Sequence, residues 1–170
     1  SQAKVTWFGT DAKAKPLVVE TDELIYKEKD AAIVVGPVCK LQRGTMTVEG
    51  GRGVAWLKDG DVERIEATSA RGTDEPEPGR LIEYAADQIY LSFGPGGEVE
   101  KIAADKNARL RSASKAGVTS VTSDHVDLEF DLSKGESRLK TAMARGRGVV
   151  ESSPAPVAAG VAAPKRILRS

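Results

Sequence analysis

A phrase of eight residues occurs twice in this chain at a fixed distance, and a weaker third copy follows. Residues 60–67 (GDVERIEA) return as residues 97–104 (GEVEKIAA), 37 positions later. Residues 135–142 (GESRLKTA) follow after another 38 positions. A fixed period of this size indicates one supersecondary unit that is stacked several times. The repeat therefore constrains the fold more than any other feature of the sequence.

A strand-like segment that also recurs precedes the later copies. Residues 87–93 (DQIYLSF) and 124–130 (DHVDLEF) lie 37 positions apart. Apolar and polar residues alternate in both, and successive side chains of a strand point to opposite faces, so each strand has one apolar face. Such strands are typical of an antiparallel sheet that is packed on one face and solvated on the other. In residues 51–57 the alternation blurs, and the inward face stays unassigned.

The pattern divides the chain into four parts. We expect a lead-in with an edge strand at 1–16, a repeat domain at 17–151, a Pro/Ala-rich linker at 152–164 and the truncated start of a further strand at 165–170. We interpret the last part as a sign that the chain is a piece of a longer repeat protein. Within the domain, residues 71–80 (RGTDEPEPGR) predict a mobile polar loop, and residues 103–107 (AADKN) predict a turn.

The charge balance argues against nucleic acid as the ligand. Lys and Arg number 25 and Asp and Glu number 25, so the formal net charge is zero. Residues 17–151 hold 19 basic and 24 acidic side chains, which makes the repeat region mildly acidic. Proteins that bind nucleic acid carry a basic patch or stripe instead. We expect these charges to form a solvated outer face of the sheet.

No group of residues suggests catalysis, a metal site or a cofactor. His125 is the only histidine and Cys39 the only cysteine, which argues against a typical zinc site. The polar side of its strand predicts that His125 is a surface residue rather than a general base. Residues 94–97 (GPGG) lie between two strands, where a hairpin turn explains them better than a phosphate-binding loop. We therefore expect a protein that is not an enzyme.

Four short segments of the chain resemble the OstA-like family of lipopolysaccharide-transport proteins, which includes LptA, LptC and the periplasmic domain of LptD. The family pattern is Asp-x-Leu-x-Tyr, a hairpin, Gly-x-Val-x-Leu and then Met-Thr-Val-Glu. The matching segments are residues 21–26 (TDELIY), 36–42 (GPVCKLQ), 44–49 (GTMTVE) and 60–67 (GDVERIEA). The resemblance covers most of residues 17–151.

The resemblance implies an all-β fold, an OstA-like β-jellyroll of stacked antiparallel strands that is built from repeats of ~37 residues and is open at its ends. It also implies a periplasmic protein that shields the acyl chains of lipopolysaccharide in an apolar groove. Such a protein would join end to end, through edge strands, with other Lpt-type domains or with itself. The residues expected to line the apolar interior are Leu24, Tyr26, Ile89, Leu91, Phe93, Val126, Leu128 and Phe130.

Two other functions are compatible with the residues. A structural repeat module could associate through its edge strands without binding lipid, because each of the eight interior residues also suits an ordinary core. A carbohydrate-binding or carbohydrate-processing β-solenoid would need exposed aromatic platforms or paired carboxylates. Aromatic residues make up 5% of the chain and lie mostly within strands, so this third hypothesis ranks last.

Overall fold

The computed structural model describes residues 3–8, 15–95, 97–131, 138–154 and 166–169. The strands of these ranges are β1 (Ala3–Trp7), β2 (Leu17–Lys27), β3 (Ala32–Arg43), β4 (Met46–Gly50), β5 (Arg52–Lys58), β6 (Asp61–Glu77), β7 (Arg80–Phe93), β8 (Val99–Ser114), β9 (Gly117–Asp131), β10 (Arg138–Arg145), β11 (Val149–Pro154) and β12 (Arg166–Arg169). A 3-10 turn, Glu28–Asp30, joins β2 to β3. In the ranges given, no helix is both long and apolar enough to cross a membrane.

Three of the long strands, β3, β6 and β9, have two halves that pair with different neighbours on one side. β3 pairs with β4 through residues 39–43 and with β5 through residues 32–35. β9 pairs with β11 through residues 117–122 and with β10 through residues 125–131. All of these pairs are antiparallel. The sheet therefore splits into two layers that share the same long strands.

We name the two layers by their residues. Layer 1 contains β1, β4, β11 and β12 with residues 17–21, 39–43, 70–77, 80–86, 108–114 and 117–123. Layer 2 contains β5 and β10 with residues 23–27, 32–36, 61–68, 88–93, 99–105 and 125–131. The layers meet at their edges, where the Trp7 indole Nε1 donates to the Gly60 carbonyl oxygen at 3.0 Å and the Arg43 guanidinium lies 5.3 Å from the centre of the Phe93 ring.

The border between the layers is a line of bends, one in each long strand. The ladder is interrupted between Ala85 and Gln88 and between Asp105 and Ala108. Ser69 in β6 and Lys106 in β8 have positive φ angles of 49° and 59°. Such interruptions bend a strand and raise its local twist. Ser69 and Lys106 are 37 residues apart, and the bend of β7 lies between them. The sequence period is therefore the distance between the bends of alternate strands.

The recurring aspartates of the repeat lie at these bends. Asp87 accepts a hydrogen bond from the Asn107 amide nitrogen at 2.9 Å. Asp124 accepts two from the Arg147 guanidinium, at 2.7 and 3.1 Å, and its own backbone amide donates to the Gly146 carbonyl oxygen. Asp87 thus ties the bend of β7 to that of β8, and Asp124 ties the bend of β9 to the turn between β10 and β11.

The bends also keep both halves of a strand facing the same interior. In β7 the buried residues are Ile82, Tyr84 and Ala86 before the bend and Ile89, Leu91 and Phe93 after it. Without the extra residue at Asp87, one half would turn its apolar side chains outward, because a shift of one residue exchanges the faces of a strand. The apolar faces of both layers therefore form one continuous core.

The predicted all-β jellyroll fold is confirmed, but two expectations within it are wrong. The loop predicted at residues 71–80 is part of the β6–β7 hairpin, where Thr73 pairs with Glu83 and Glu77 with Arg80. Its polar side chains fit a strand because the outer face of layer 1 is solvated. The turn predicted at residues 103–107 is a bend inside the continuous strand β8.

The strand whose inward face stayed unassigned, β5, points small residues at the core. Gly53 and Ala55 are buried, whereas Trp56 is outside the core and lies under the Arg64 guanidinium, 4.1 Å from the ring centre. A Cβ atom on Gly53 would lie 2.9 Å from a methyl carbon of Val35. Larger side chains of the neighbouring strands, such as Val35, thus fill the space in the core beside Gly53 and Ala55.

The division of the chain into four parts stays a prediction. Residues 9–14 of the lead-in, residues 155–164 of the linker and residues 132–137, which include the start of the third copy of the repeated phrase, lie outside the described residues. The segment predicted as the start of a further strand forms β12, which pairs antiparallel with β11 from Val149↔Arg169 to Ser152↔Arg166.

Candidate functional site

Five of the eight predicted interior residues lie in the core between the layers. Ile89 and Leu91 are fully buried, with 0% of their surface exposed. Phe93 in β7, and Val126 and Leu128 in β9, are also buried. The bend in each strand accounts for this placement. These residues follow Asp87 or Asp124, and after each bend every second side chain faces inward.

The other three predicted residues lie toward the ends of the stack. Leu24 and Phe130 are half-buried and pack against the core. Tyr26 is 57% exposed because it lies near the end of β2, whose second half has no second neighbour among the described residues. The structure thus brings seven residues together along one interior and leaves Tyr26 at its rim.

The interior is filled by side chains at the β1–β2 end. A cavity of 20 Å³ lies there, and it is lined by Val5, Trp7, Leu17, Val19, Leu24, Ile33, Val35, Leu41, Gly53, Val54, Ala55, Val62 and Ile65. Both layers contribute to this lining. A void of this size holds about one water molecule, so an alkyl chain would enter only if the layers moved apart.

Tyr84 is an interior residue that sequence reasoning missed. It is 4% exposed, and its ring lies against Gly72 of the neighbouring strand, where an added Cβ atom would be 2.2 Å from the ring. Its hydroxyl has no hydrogen-bond partner in the described part of the chain, and burial raises the pKa of Tyr84 above its usual value. Tyr84 precedes the recurring aspartate, in the half of the unit that repeats weakly.

Among the described residues, layer 2 has an open edge at the second half of β2. Residues 23–27 pair with β3 on one side, while β1 reaches only to Thr21 on the other. Ile25 is 45% exposed and Tyr26 is 57% exposed at this edge. An unpaired strand with exposed apolar side chains is a template for the addition of another strand.

A charged cluster covers part of the outer face of layer 2. Asp127, whose side chain is 10% exposed, accepts from His125 Nε2 at 2.8 Å and from the Arg145 guanidinium at 3.0 Å. Lys101 Nζ lies 3.4 Å from the same carboxylate. His125 Nδ1 bonds the Asp105 carboxylate. The predicted surface histidine therefore links β9 to β8, and its partner Asp127 links β9 to β10.

Mutual attraction in this cluster favours the charged forms. The hydrogen bond with Asp105 holds the pKa of His125 above its ordinary value, with Asp127 adding to the effect against partial burial. Burial alone would raise the pKa of Asp127, but His125 and Lys101 outweigh it and keep this pKa below the usual range. These carboxylates already have cationic partners, which fits a cluster of ion pairs that holds neighbouring strands together.

Comparison with known proteins supports the fold. No family model matches the sequence, and no curated protein matches it either. Among solved structures, the chain is similar to the crystal structure of LptH, the LptA-homologous periplasmic component of the lipopolysaccharide transport device of Pseudomonas aeruginosa. The TM-score is 0.62 and the sequence identity is 12%, and the match covers 92% of this chain and 94% of that one.

Proposed function

We propose that this protein is a periplasmic module that binds and transports lipopolysaccharide by shielding its acyl chains between the two layers of a β-jellyroll. The observation that carries the proposal is the continuous apolar interior of a fold that matches LptH over nearly its whole length. The module acts by burial alone and needs neither a catalytic residue nor a cofactor.

Acyl chains would enter at the ends of the stack, where the interior residues are partly exposed. Leu24 lies at one end, Phe130 toward the other, and both pack against the core. Shielding ten methylene groups stabilises the bound chain by about 8 kcal/mol, and the contacts between the layers that it displaces offset part of this gain. The 20 Å³ cavity means that binding goes together with separation of the layers.

The open edge of β2 would join this module to a second copy or to another Lpt-type domain. Strand addition satisfies the free backbone groups of residues 23–27, and Ile25 and Tyr26 supply apolar contact area. Ile25→Lys places a charge on the edge and is expected to weaken end-to-end association. Sedimentation velocity over a concentration series measures this change, and unchanged association would rule out this edge.

Photo-crosslinking to lipopolysaccharide tests the proposal. Benzoylphenylalanine replaces Phe93 or Phe130 on the inner face, and Tyr90 on the outer face is the matched aromatic control. We expect lipid adducts at Phe93 and Phe130 but not at Tyr90. Equal labelling at Tyr90, or no adduct at any site in a folded sample, would overturn lipid binding between the layers.

The second candidate is a structural module that associates through its edges without lipid. The small volume of the interior cavity favours it. Folded protein that self-associates with increasing concentration, yet gives no lipid adduct at Phe93 or Phe130, would support this function over the first.

A further inference from the structure

A groove crosses the outer face of layer 1, on the side opposite the apolar interior. Its volume is 520 Å³, within the range of about 300–1,000 Å³ that is typical of small-molecule sites. Ten of the residues that line it form two rows across five strands: Glu49, Arg71, Ala85, Arg109 and Thr122 in one, and Thr47, Thr73, Glu83, Arg111 and Ser120 in the other. Gly72, Tyr84, Leu110 and Val121, which alternate with them along the strands, complete the lining.

The small side chain of Ala85 sets the floor of the groove. Ala85 stands between Arg71 on β6 and Arg109 on β8 in the cross-strand register. Strands lie about 4.8 Å apart, so five strands give the groove a length of roughly 19 Å. The aliphatic stems of the two arginines wall the floor on either side and offer apolar contact beside their charged ends.

The groove is lined by three arginines and two glutamates, so one arginine has no glutamate partner within the groove. Arg71 donates two hydrogen bonds to Glu49, at 2.8 and 3.1 Å, and Arg111 is paired with Glu83. Arg109 has no acidic partner within the residues that the structure describes, although it lies two residues from Arg111 on β8 and across Ala85 from Arg71. A free guanidinium offers a planar set of donors that suits a phosphate or carboxylate.

Hydroxyl groups lie beside the free guanidinium and at the far end of the groove. Thr122 is directly opposite Arg109, and Ser120 is opposite Arg111. Thr47 and Thr73 pair with each other at the far end. Across the described ranges, no side-chain hydrogen bond engages these four hydroxyls, so each can donate to or accept from a ligand. Together with the two glutamates, they supply the polar contacts for the hydroxyls of a sugar in a groove whose lining is otherwise mostly apolar.

We propose that this groove binds a phosphorylated sugar, with the phosphate on Arg109 and the sugar ring over Ala85. The hydroxyls of Ser120 and Thr122 bond the ring substituents, and the arginine stems contact its C–H face. The groove is lined by no exposed aromatic platform, so the charged contact is essential and a neutral sugar binds far more weakly. The site is separate from the interior and is independent of lipid binding.

A titration with glucose 6-phosphate, followed by the backbone amide signals of Ala85, Ser120 and Thr122, tests the proposal on the full chain. We expect a dissociation constant of about 1 mM, as befits a ligand of this size. Glucose and inorganic phosphate are separate arms of the experiment. Each is expected to bind at least about tenfold more weakly, because each lacks half of the contacts.

Two substitutions, one that changes charge and one that changes size, test whether glucose 6-phosphate binds in the groove. Arg109→Gln removes the free charge and Ala85→Leu fills the floor, and each should weaken glucose 6-phosphate binding at least about tenfold. Arg52→Gln, on β5 of layer 2, is the matched control and should bind as the wild type does. No binding by the wild type, equal binding of inorganic phosphate alone, or unchanged binding by Arg109→Gln would each overturn the proposal.

Discussion

Replacing Gly72 by alanine tests how tightly Tyr84 packs against β6. A Cβ atom at position 72 would lie 2.2 Å from two ring carbons of Tyr84 and 2.5 Å from its hydroxyl oxygen. Ordinary van der Waals contacts begin at 3.4 Å, so the overlap exceeds 1 Å. The ring cannot swing away freely because Tyr84 is 4% exposed. We therefore expect the two strands to separate locally or the ring to leave its rotamer.

The expected magnitude follows from two opposing effects. Overpacking a well-filled core costs about 1–3 kcal/mol. Exchanging glycine for alanine lowers the entropy of the unfolded chain and stabilises the protein by about 0.4–1 kcal/mol. Gly72→Ala should therefore lower the free energy of unfolding by about 1–2 kcal/mol. The control Gly51→Ala has its nearest atoms at 3.7 Å and should be neutral or stabilising.

Urea denaturation of a double-mutant cycle measures the effect. In a Tyr84→Leu background the ring is absent, so Gly72→Ala should no longer destabilise, and the coupling free energy between the two sites should be about 1–3 kcal/mol. Full stability of Gly72→Ala in the wild-type background would refute the packing described for Tyr84. Equal losses in both backgrounds would show that the cost does not come from the ring.

Three further predictions concern titratable or buried polar groups. Tyr84→Phe removes a buried hydroxyl without a partner in the described residues, so its melting temperature should equal or exceed that of the wild type; a clear decrease would mean that the hydroxyl is bonded. The pKa of His125 is raised by Asp105 and Asp127, so the protonated imidazole stabilises the fold below pH 6.5. This contribution to the free energy of unfolding is lost as the pH rises through the folded-state pKa. The urea midpoint of the wild type should fall between a pH below 6.5 and a pH above the folded-state pKa, and it should fall more than that of His125→Gln. Equal pH dependence of the two proteins would contradict a stabilising role for charged His125. Cys39 is 1% exposed and burial raises the pKa of its thiol, so a thiol reagent should label it only after unfolding; rapid labelling of the folded protein would show that the core opens.

Much of the fold could be predicted from the sequence because one-sided strands have a simple signature. The alternation of Ile89, Leu91 and Phe93 with polar residues predicts a strand and its inward face, and both are observed. The bend at Asp87 could not be predicted, because it depends on how β7 pairs with β6 and β8, and the register between strands is not visible in a local pattern. The polar residues 71–80 predict a loop instead, since proline and glycine suggest a turn when the solvated partner strands are unknown.

The interior was easier to predict than the surfaces. Burial of Leu91 and Leu128 follows from the period of their own strands. The exposure of Tyr26 depends instead on β1 ending its pairing at Thr21, which no local pattern reports. The outer groove around Arg109 depends on the register of five strands at once, and a side chain's neighbours across a sheet are not visible in one sequence.

The zigzag of hairpins has a consequence for how the protein comes apart. From β6 to β9, each strand pairs with its immediate neighbours in sequence, so the stack is nearly one-dimensional. In such an array, opening at one end leaves the pairing farther along intact. The amides of β7 and β8, which have partners on both sides, should exchange with solvent slowest, and those of β1 and β12 fastest. Unfolding of a terminal strand would shorten the folded stack without unfolding the rest, and it would leave the next strand as an unpaired edge.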